Sequence, residues 1–139
     1  FQPAAELRLE TCQQGRAFLA ATRQAWPCPA LERLAAMALP ALPYPIAVGC
    51  ACAGHGLALR WSIAGYLQGV SANLVSAGVR LIPLGQSAGL AVLAGLEPAV
   101  AAVTDHALAA PDAAPASAVP MVDWCAMRHE TQYTRLFRS

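Results

Sequence analysis

Apolar positions in the first part of the chain recur at helical spacing. The apolar face of residues 4–25 comprises Leu7, Thr11 or Cys12, Phe18, and Ala21 or Ala25. The charged side chains of this segment lie largely off that face, so the pattern predicts an amphipathic helix. The helix should end near Trp26, because Pro27 cannot continue a helix and biases the residue before it toward extended conformations.

Further segments also carry helical spacing or helix-favouring composition: 30–39, 46–57, 59–82, 86–96, 98–109 and 121–127. We expect 59–82 to be the central, most buried helix and to end near Ile82, because a proline such as Pro83 inside a helix costs about 3 kcal/mol. No segment alternates apolar and polar residues between turn dipeptides, as a strand would. The pattern predicts an all-α fold, a compact bundle of about six to seven helices with a C-terminal helical or flexible tail.

The length of 139 residues suits one helical domain. A stretch rich in proline and alanine, residues 111–120, is typical of a linker. We therefore expect a main helical domain over 1–110 and a separate C-terminal segment over 121–139.

The composition is unusually apolar. Apolar residues make up 57% and charged residues 12%, against about 45–50% and 25% in an average domain. The excess apolar surface requires a core, a partner or a bilayer. The uncharged run 61–79 approaches the roughly 20 residues that span a membrane, but it contains several serine, glutamine and asparagine residues, so we expect no membrane span. A formal charge of +1 without a basic block argues against nucleic acid as a partner.

Cysteine usage bears on the compartment. The chain has 5 cysteines, an odd number in a domain large enough to fold without disulfides, which favours a reducing, cytoplasmic location. The chain begins at Phe1, and no basic segment followed by an apolar run and a cleavage site is present. We expect a processed chain or a fragment of a longer protein.

The motif Cys50-x-Cys52-x-x-His55 raises the possibility of a small metal-binding protein, because thiolates and imidazole suit zinc, nickel or copper(I). The spacing is not that of a structural zinc site, and on a helix Cys50 and Cys52 point to different faces. The alternative is a pair of small packed thiols beside a helix-end histidine. No nucleophile motif, paired carboxylates or phosphate-binding loop is present, so the sequence contains no catalytic constellation and indicates no cofactor.

Arg80 is the one formal charge between Arg60 and Glu97. It lies near the predicted C-terminus of the helix 59–82, where the helix dipole favours a cation by about 0.3–1 kcal/mol. Helix stabilisation and partner binding are both consistent with this position.

The C-terminal run RHETQYTRLFRS concentrates charged and aromatic residues. On a helix, His129, Tyr133, Leu136 and Phe137 would share one face, with arginines on either side. Tyrosine and arginine are enriched at binding hot spots. Because an isolated helix of about a dozen residues is marginal in water, we expect a tail that is mobile alone and ordered by a partner. The alternative is a terminal helix docked on its own domain.

Two stretches, SANLVSAGVRLIPLGQ and MRHETQYTRLFRS, together resemble the UreF family of urease accessory proteins, and ETCQQGRAFL and YPIAVG extend the similarity over essentially the whole chain. The chain departs from the family pattern in two ways. It has no counterpart of the N-terminal Pro-Val-Gly-Gly-type motif, so we expect it to lack an N-terminal portion of the family domain. It also has Ser87-Ala88-Gly89-Leu90 where relatives have residues such as Thr-Asp-Gly-Gln.

The resemblance implies a non-enzymatic, all-α scaffold that forms a homodimer and acts in nickel insertion into urease. Members of the family bridge the accessory protein UreD, also called UreH, and the GTPase UreG, and modulate its GTP hydrolysis, so that apo-urease is an indirect partner. Partner-binding residues implied by position are Arg80, Gln86, His129, Glu130, Tyr133, Arg135, Leu136, Phe137 and Arg138. Of these, Arg80 is the residue expected to influence the GTPase.

Overall fold

The computed structural model describes residues 4–82, 84–109 and 119–133. Within these ranges the chain forms seven α-helices and no β-strand, which confirms the all-α prediction. The helices are α1 Ala5–Ala25, α2 Pro29–Ala36, α3 Tyr44–Gly54, α4 Leu59–Leu81, α5 Gln86–Gly95, α6 Glu97–Ala109 and α7 Pro120–His129. The predicted linker 111–120 falls almost entirely outside the described residues, so its boundaries stay a prediction.

The helices divide between two compact units. The first unit comprises residues 1–55 and 114–139 and contains α1, α2, α3 and α7. The second unit comprises residues 56–113 and contains α4, α5 and α6.

The first unit has a leucine core where α1 and α2 pack on α3. Its buried members are Leu19, Cys28, Leu31, Leu34, Leu42, Ala47 and Ala51. The predicted inner face of α1 is partly wrong, since Ala21 and Ala25 are exposed whereas Gly15 and Thr22 are buried. The reason is a close approach: a Cβ on Gly15 would overlap the carbonyl oxygen of Leu42. A glycine contact of this kind leaves no trace in a hydrophobic pattern.

Prolines set several helix boundaries in the first unit. Helix α2 begins at Pro29, and α3 carries proline within its first two positions, where a missing N–H costs nothing. Helix α2 ends at Ala36, three residues before the predicted boundary. Two residues later Ala38 has φ 46°, the left-handed region in which helices commonly terminate.

The second unit is packed differently. The prediction that 59–82 forms the most buried helix is wrong, because no residue of the fully described α4 is buried. Within the second unit, helix α4 packs on α5 and α6. The buried residues of those two helices are Gly89 and Thr104. Neither is a large apolar residue, so α5 and α6 offer α4 no core of buried leucines to pack against. Gly89 marks the close contact, since a Cβ there would lie 2.8 Å from Val79 Cγ2.

The combined stretch Gln86–Ala109, 24 residues, is long and apolar enough by length and composition to cross a membrane, whereas the run 61–79 is not singled out. A single stretch of this kind is weak evidence for a membrane span, because helices in the core of water-soluble proteins reach the same length and apolarity. It contains Glu97 and Asp105, and Asp105 Oδ1 accepts from Arg60 Nη1 at 2.6 Å.

Candidate partner-binding site

Helix α7 brings the C-terminal motif against the beginning of the chain. The helix begins with proline in its first turn, carries Asp123 there, and ends at His129. Its contacts in the first unit are with α1. The last residues of α7 therefore meet the first turn of α1.

Glu130 caps α1 from a distance of 125 residues along the chain. The N-cap residue of α1, Ala4, has no side chain that can accept a hydrogen bond. Instead, the N–H groups of Ala5 and Glu6 donate to Glu130 Oε1 at 2.6 and 3.4 Å. A carboxylate at this position satisfies amides that lack intrahelical partners and interacts favourably with the helix dipole.

A second contact runs in the opposite direction. His129 Nδ1 lies 2.8 Å from Glu6 Oε2, and the two side chains are only 34% and 19% exposed. Each helix end thus contributes one carboxylate to the other. We call Ala5, Glu6, His129 and Glu130 the terminal clamp.

The clamp corrects the predicted geometry of the tail. The chain leaves the helix after His129, and the N–H of Gln132 donates to the His129 carbonyl in a turn. His129 and Tyr133 therefore do not share a helical face. Tyr133 is fully exposed, whereas His129 and Glu130 contact their own chain. The predicted residues Arg135, Leu136, Phe137 and Arg138 lie outside the described residues.

Helix α7 presents an exposed face beside the clamp that sequence reasoning missed. Trp124 is 56% exposed, and the Arg128 guanidinium lies 6.0 Å from the centroid of its ring. Met121 and Val122 are also exposed. The sequence could have indicated this face, because Trp124 and Arg128 are four residues apart on a predicted helix and both are residue types enriched at binding hot spots.

Arg80 and Gln86 lie in the second unit, at the junction of α4 and α5. Arg80 is an exposed residue in the last turn of α4, as predicted, and Gln86 is the exposed first residue of α5. Of the described partner-binding residues, Arg80 and Gln86 therefore belong to the second unit, and His129, Glu130 and Tyr133 belong to the first.

Two side chains of the Cys50-x-Cys52-x-x-His55 motif, those of Cys50 and His55, contact backbone carbonyls. Cys50 Sγ lies 3.6 Å from the Ala30 oxygen, and His55 Nε2 lies 3.1 Å from the Trp26 oxygen. No group of three potential metal ligands occurs in the part of the chain that the structure describes. The motif therefore has no geometric support as a metal site.

Comparison with known proteins extends the sequence resemblance. The sequence model of the UreF family matches residues 1–97. A urease accessory protein UreF of Methylorubrum populi is 54% identical over 137 residues, 99% of this chain and 61% of that protein. Proteins of the same name from Xanthobacter autotrophicus and Azorhizobium caulinodans are 51% and 50% identical over 139 residues. The chain spans 56% and 59% of their respective lengths.

Proposed function

Because this chain belongs to the UreF family of urease accessory proteins, we propose that it acts in the maturation of urease in the cytoplasm. It serves as a non-enzymatic scaffold in nickel insertion, bridges UreD/UreH and the GTPase UreG, and modulates GTP hydrolysis. It works as a homodimer, with apo-urease as an indirect partner. The runner-up is an all-α interaction domain of this family that lacks the activity in isolation, since the chain spans 61% or less of the relatives described above.

The terminal clamp is the observation that carries the proposal. It fixes the end of α7 on α1 through Glu130 and His129, so that Trp124, Arg128 and Tyr133 are presented from an ordered base. Preorganised side chains lose less conformational entropy on binding than a free peptide does. We assign this surface to UreD/UreH.

The second surface, at the α4–α5 junction, is assigned to UreG. Arg80 supplies an exposed cation there, and Gln86 an exposed amide. Cations that face phosphate-bearing sites stabilise the charge that develops during phosphoryl transfer. This chemistry supports a role for Arg80 in setting the rate of GTP hydrolysis.

The UreD/UreH surface is tested by titrating purified UreD/UreH with Trp124→Ala. The matched control is Trp26→Ala, a similarly exposed tryptophan of the first unit at the opposite end of α1. Because hot-spot truncations cost about 2 kcal/mol or more, Trp124→Ala should weaken binding about 30-fold or more, and Trp26→Ala should not. Equal affinities for both variants, with unchanged helix content by circular dichroism, would remove α7 from the interface.

The UreG surface is tested by following GTP hydrolysis in a reconstituted mixture with Arg80→Ala. The control is Arg33→Ala, an exposed arginine of the first unit. We expect a changed rate for Arg80→Ala alone. A variant that lowers only the melting temperature would assign Arg80 to helix stabilisation instead.

A further inference from the structure

A pocket of about 260 Å³ opens in the first unit between α1, α2 and the connector that follows α2. Its apolar walls include Leu19, Leu34, Leu39 and Leu42. Two arginines of α1, Arg16 and Arg23, also line it. None of these residues belongs to the terminal clamp or to the α4–α5 junction.

The two arginines differ in charge balance. Arg23 donates to both carboxylate oxygens of Glu32, at 3.0 and 2.5 Å. These hydrogen bonds hold the pKa of the Glu32 carboxyl below its usual value. Arg16 has only the Pro40 carbonyl, 3.4 Å from Nη1, and no carboxylate lies within ion-pair distance in residues 4–82, 84–109 and 119–133. Among the described residues, the Arg16 cation beside the leucines therefore has no carboxylate that neutralises it.

The backbone at the pocket is unusual as well. Ala38, one of the lining residues, has φ 46°. For a residue with a side chain, this left-handed conformation costs about 1–2 kcal/mol relative to the right-handed region. The end of α2 accounts for this conformation, because Ala38 directly follows the C-cap residue Met37.

We propose that the pocket binds one large apolar side chain, leucine or phenylalanine, from an acidic segment of a partner protein. A carboxylate next to that side chain pairs with Arg16. The volume is below the roughly 300–1,000 Å³ of pockets for drug-sized ligands, so it suits a single side chain better than a cofactor. The unneutralised guanidinium selects a carboxylate, with which it forms charge-assisted hydrogen bonds.

The direct test is to titrate the isotope-labelled chain with the peptide acetyl-Asp-Leu-Phe-Asp-amide and to follow backbone amide signals by NMR. We expect saturable shifts at Ala20, Ala35 and Leu39. The peptides acetyl-Lys-Leu-Phe-Lys-amide and acetyl-Asp-Ser-Ser-Asp-amide should bind at least tenfold more weakly. Equal binding of the basic peptide, or no shift at millimolar acidic peptide, overturns the proposal. Octanoate that binds tighter than the acidic peptide would assign the pocket to free carboxylic amphiphiles and overturn it too.

Two variant pairs locate the contact. Ala20→Leu fills the pocket from an exposed position of α1, and Ala17→Leu places the same side chain at an exposed position of α1 outside it. The first should weaken peptide binding at least tenfold, and the second should not change it. Arg16→Gln should weaken binding about threefold, as expected for an exposed ion pair. Arg8→Gln, an exposed arginine of the same helix, is its control. Unchanged affinity for both Ala20→Leu and Arg16→Gln would place the peptide elsewhere.

Discussion

The two units build helical structure with different kinds of interior. In the first unit, Leu31 is completely buried and Leu34 and Leu42 pack beside it. In the second unit, α4 has no buried residue, and large apolar side chains such as Trp61 and Leu74 are about 70% exposed. Helical spacing of apolar residues therefore predicts the helices of both units but predicts burial in only one of them.

Gly15 of the first unit differs in the same way from Gly65 and Gly69 of the second, although Gly89 of the second unit also makes a close contact. Gly15 lets α1 approach the backbone of Leu42 and Pro43 so closely that no Cβ fits. A Cβ added to Gly65 or Gly69 of α4 would meet no described atom within 4 Å. The spacing of these two glycines matches the close-packing motif of helix pairs. A glycine within a helix therefore marks a close backbone approach at Gly15 but not at Gly65 or Gly69.

The largest expected effect comes from adding a methyl group to Gly15 in the first unit. The same change at Gly65 in the second unit is the comparison. Gly15→Ala should lower the free energy of unfolding by about 3 kcal/mol or more, because the helix and the connector must separate. Gly65→Ala should raise it by up to about 1 kcal/mol, because alanine is the better helix former and has open space. Urea unfolding followed by circular dichroism measures both. A similar loss in the two variants would contradict the contrast in packing.

The next effect compares two leucines. Leu31→Ala removes a fully buried side chain and should cost about 2–5 kcal/mol. Leu74→Ala, at a position that is 69% exposed, should stay within about 0.5 kcal/mol of the parent protein. The same unfolding assay applies. If Leu74→Ala cost as much as Leu31→Ala, α4 would be part of a core in solution.

A smaller effect concerns the terminal clamp, a pairing of distant helix ends that belongs to the first unit. Glu130→Ala should cost about 1 kcal/mol, because the amides of Ala5 and Glu6 lose their acceptor. Amide hydrogen exchange should accelerate in the first turn of α1 and not in α4. Unchanged exchange at Ala5 and Glu6 would show that the cap does not hold α1 in solution.

The smallest effect is the pH dependence of an exposed ion pair. Arg23, chiefly by its hydrogen bonds to the carboxylate, lowers the pKa of Glu32 from the ordinary value of 4.5. Because the folded-state pKa is the lower one, the stabilisation is complete above pH 4.5 and is lost as pH falls through the folded pKa. Glu32→Gln should therefore reduce the fall in urea midpoint between about pH 5 and pH 3.

The comparison for this last prediction lies in the second unit. Arg60 and Asp105 form a similarly exposed pair. Asp105→Asn therefore shows how much removal of any exposed ion pair changes the fall in urea midpoint with pH. Salt at about 1 M should reduce the difference between Glu32→Gln and the parent protein, since exposed charges are screened. A pH profile identical in the parent and Glu32→Gln would exclude a contribution from this pair.

Helix boundaries could be predicted from the sequence where a proline determines them. Pro27 predicted the end of the first helix near Trp26, and α1 ends at Ala25. The exposure of α4 was not predictable, because an apolar helical pattern does not say which neighbours will cover it. Nor was the buried face of α1, since Gly15 and Thr22 carry no hydrophobic signal.

The candidate site shows the same limit. The motif singled out His129 and Glu130, but not their contacts with Glu6 and the Ala5 amide, because nothing in a linear pattern joins positions 125 residues apart. The left-handed Ala38 was hidden as well, since glycine is the residue that usually signals that conformation. The sequence therefore predicts the helices and the terminal motif, whereas the pairing of His129 and Glu130 with the first turn of α1 is seen only in the three-dimensional structure.

The terminal clamp also sets an order of events during folding. A contact that joins residues 5 and 130 closes a very long loop, and such contacts form late because the loss of chain entropy precedes their gain. On the ribosome, α1 is made long before Glu130 exists, so its first turn stays uncapped while the rest of the first unit assembles. The first turn of α1 can therefore be capped only after the ribosome has synthesised α7 and Glu130.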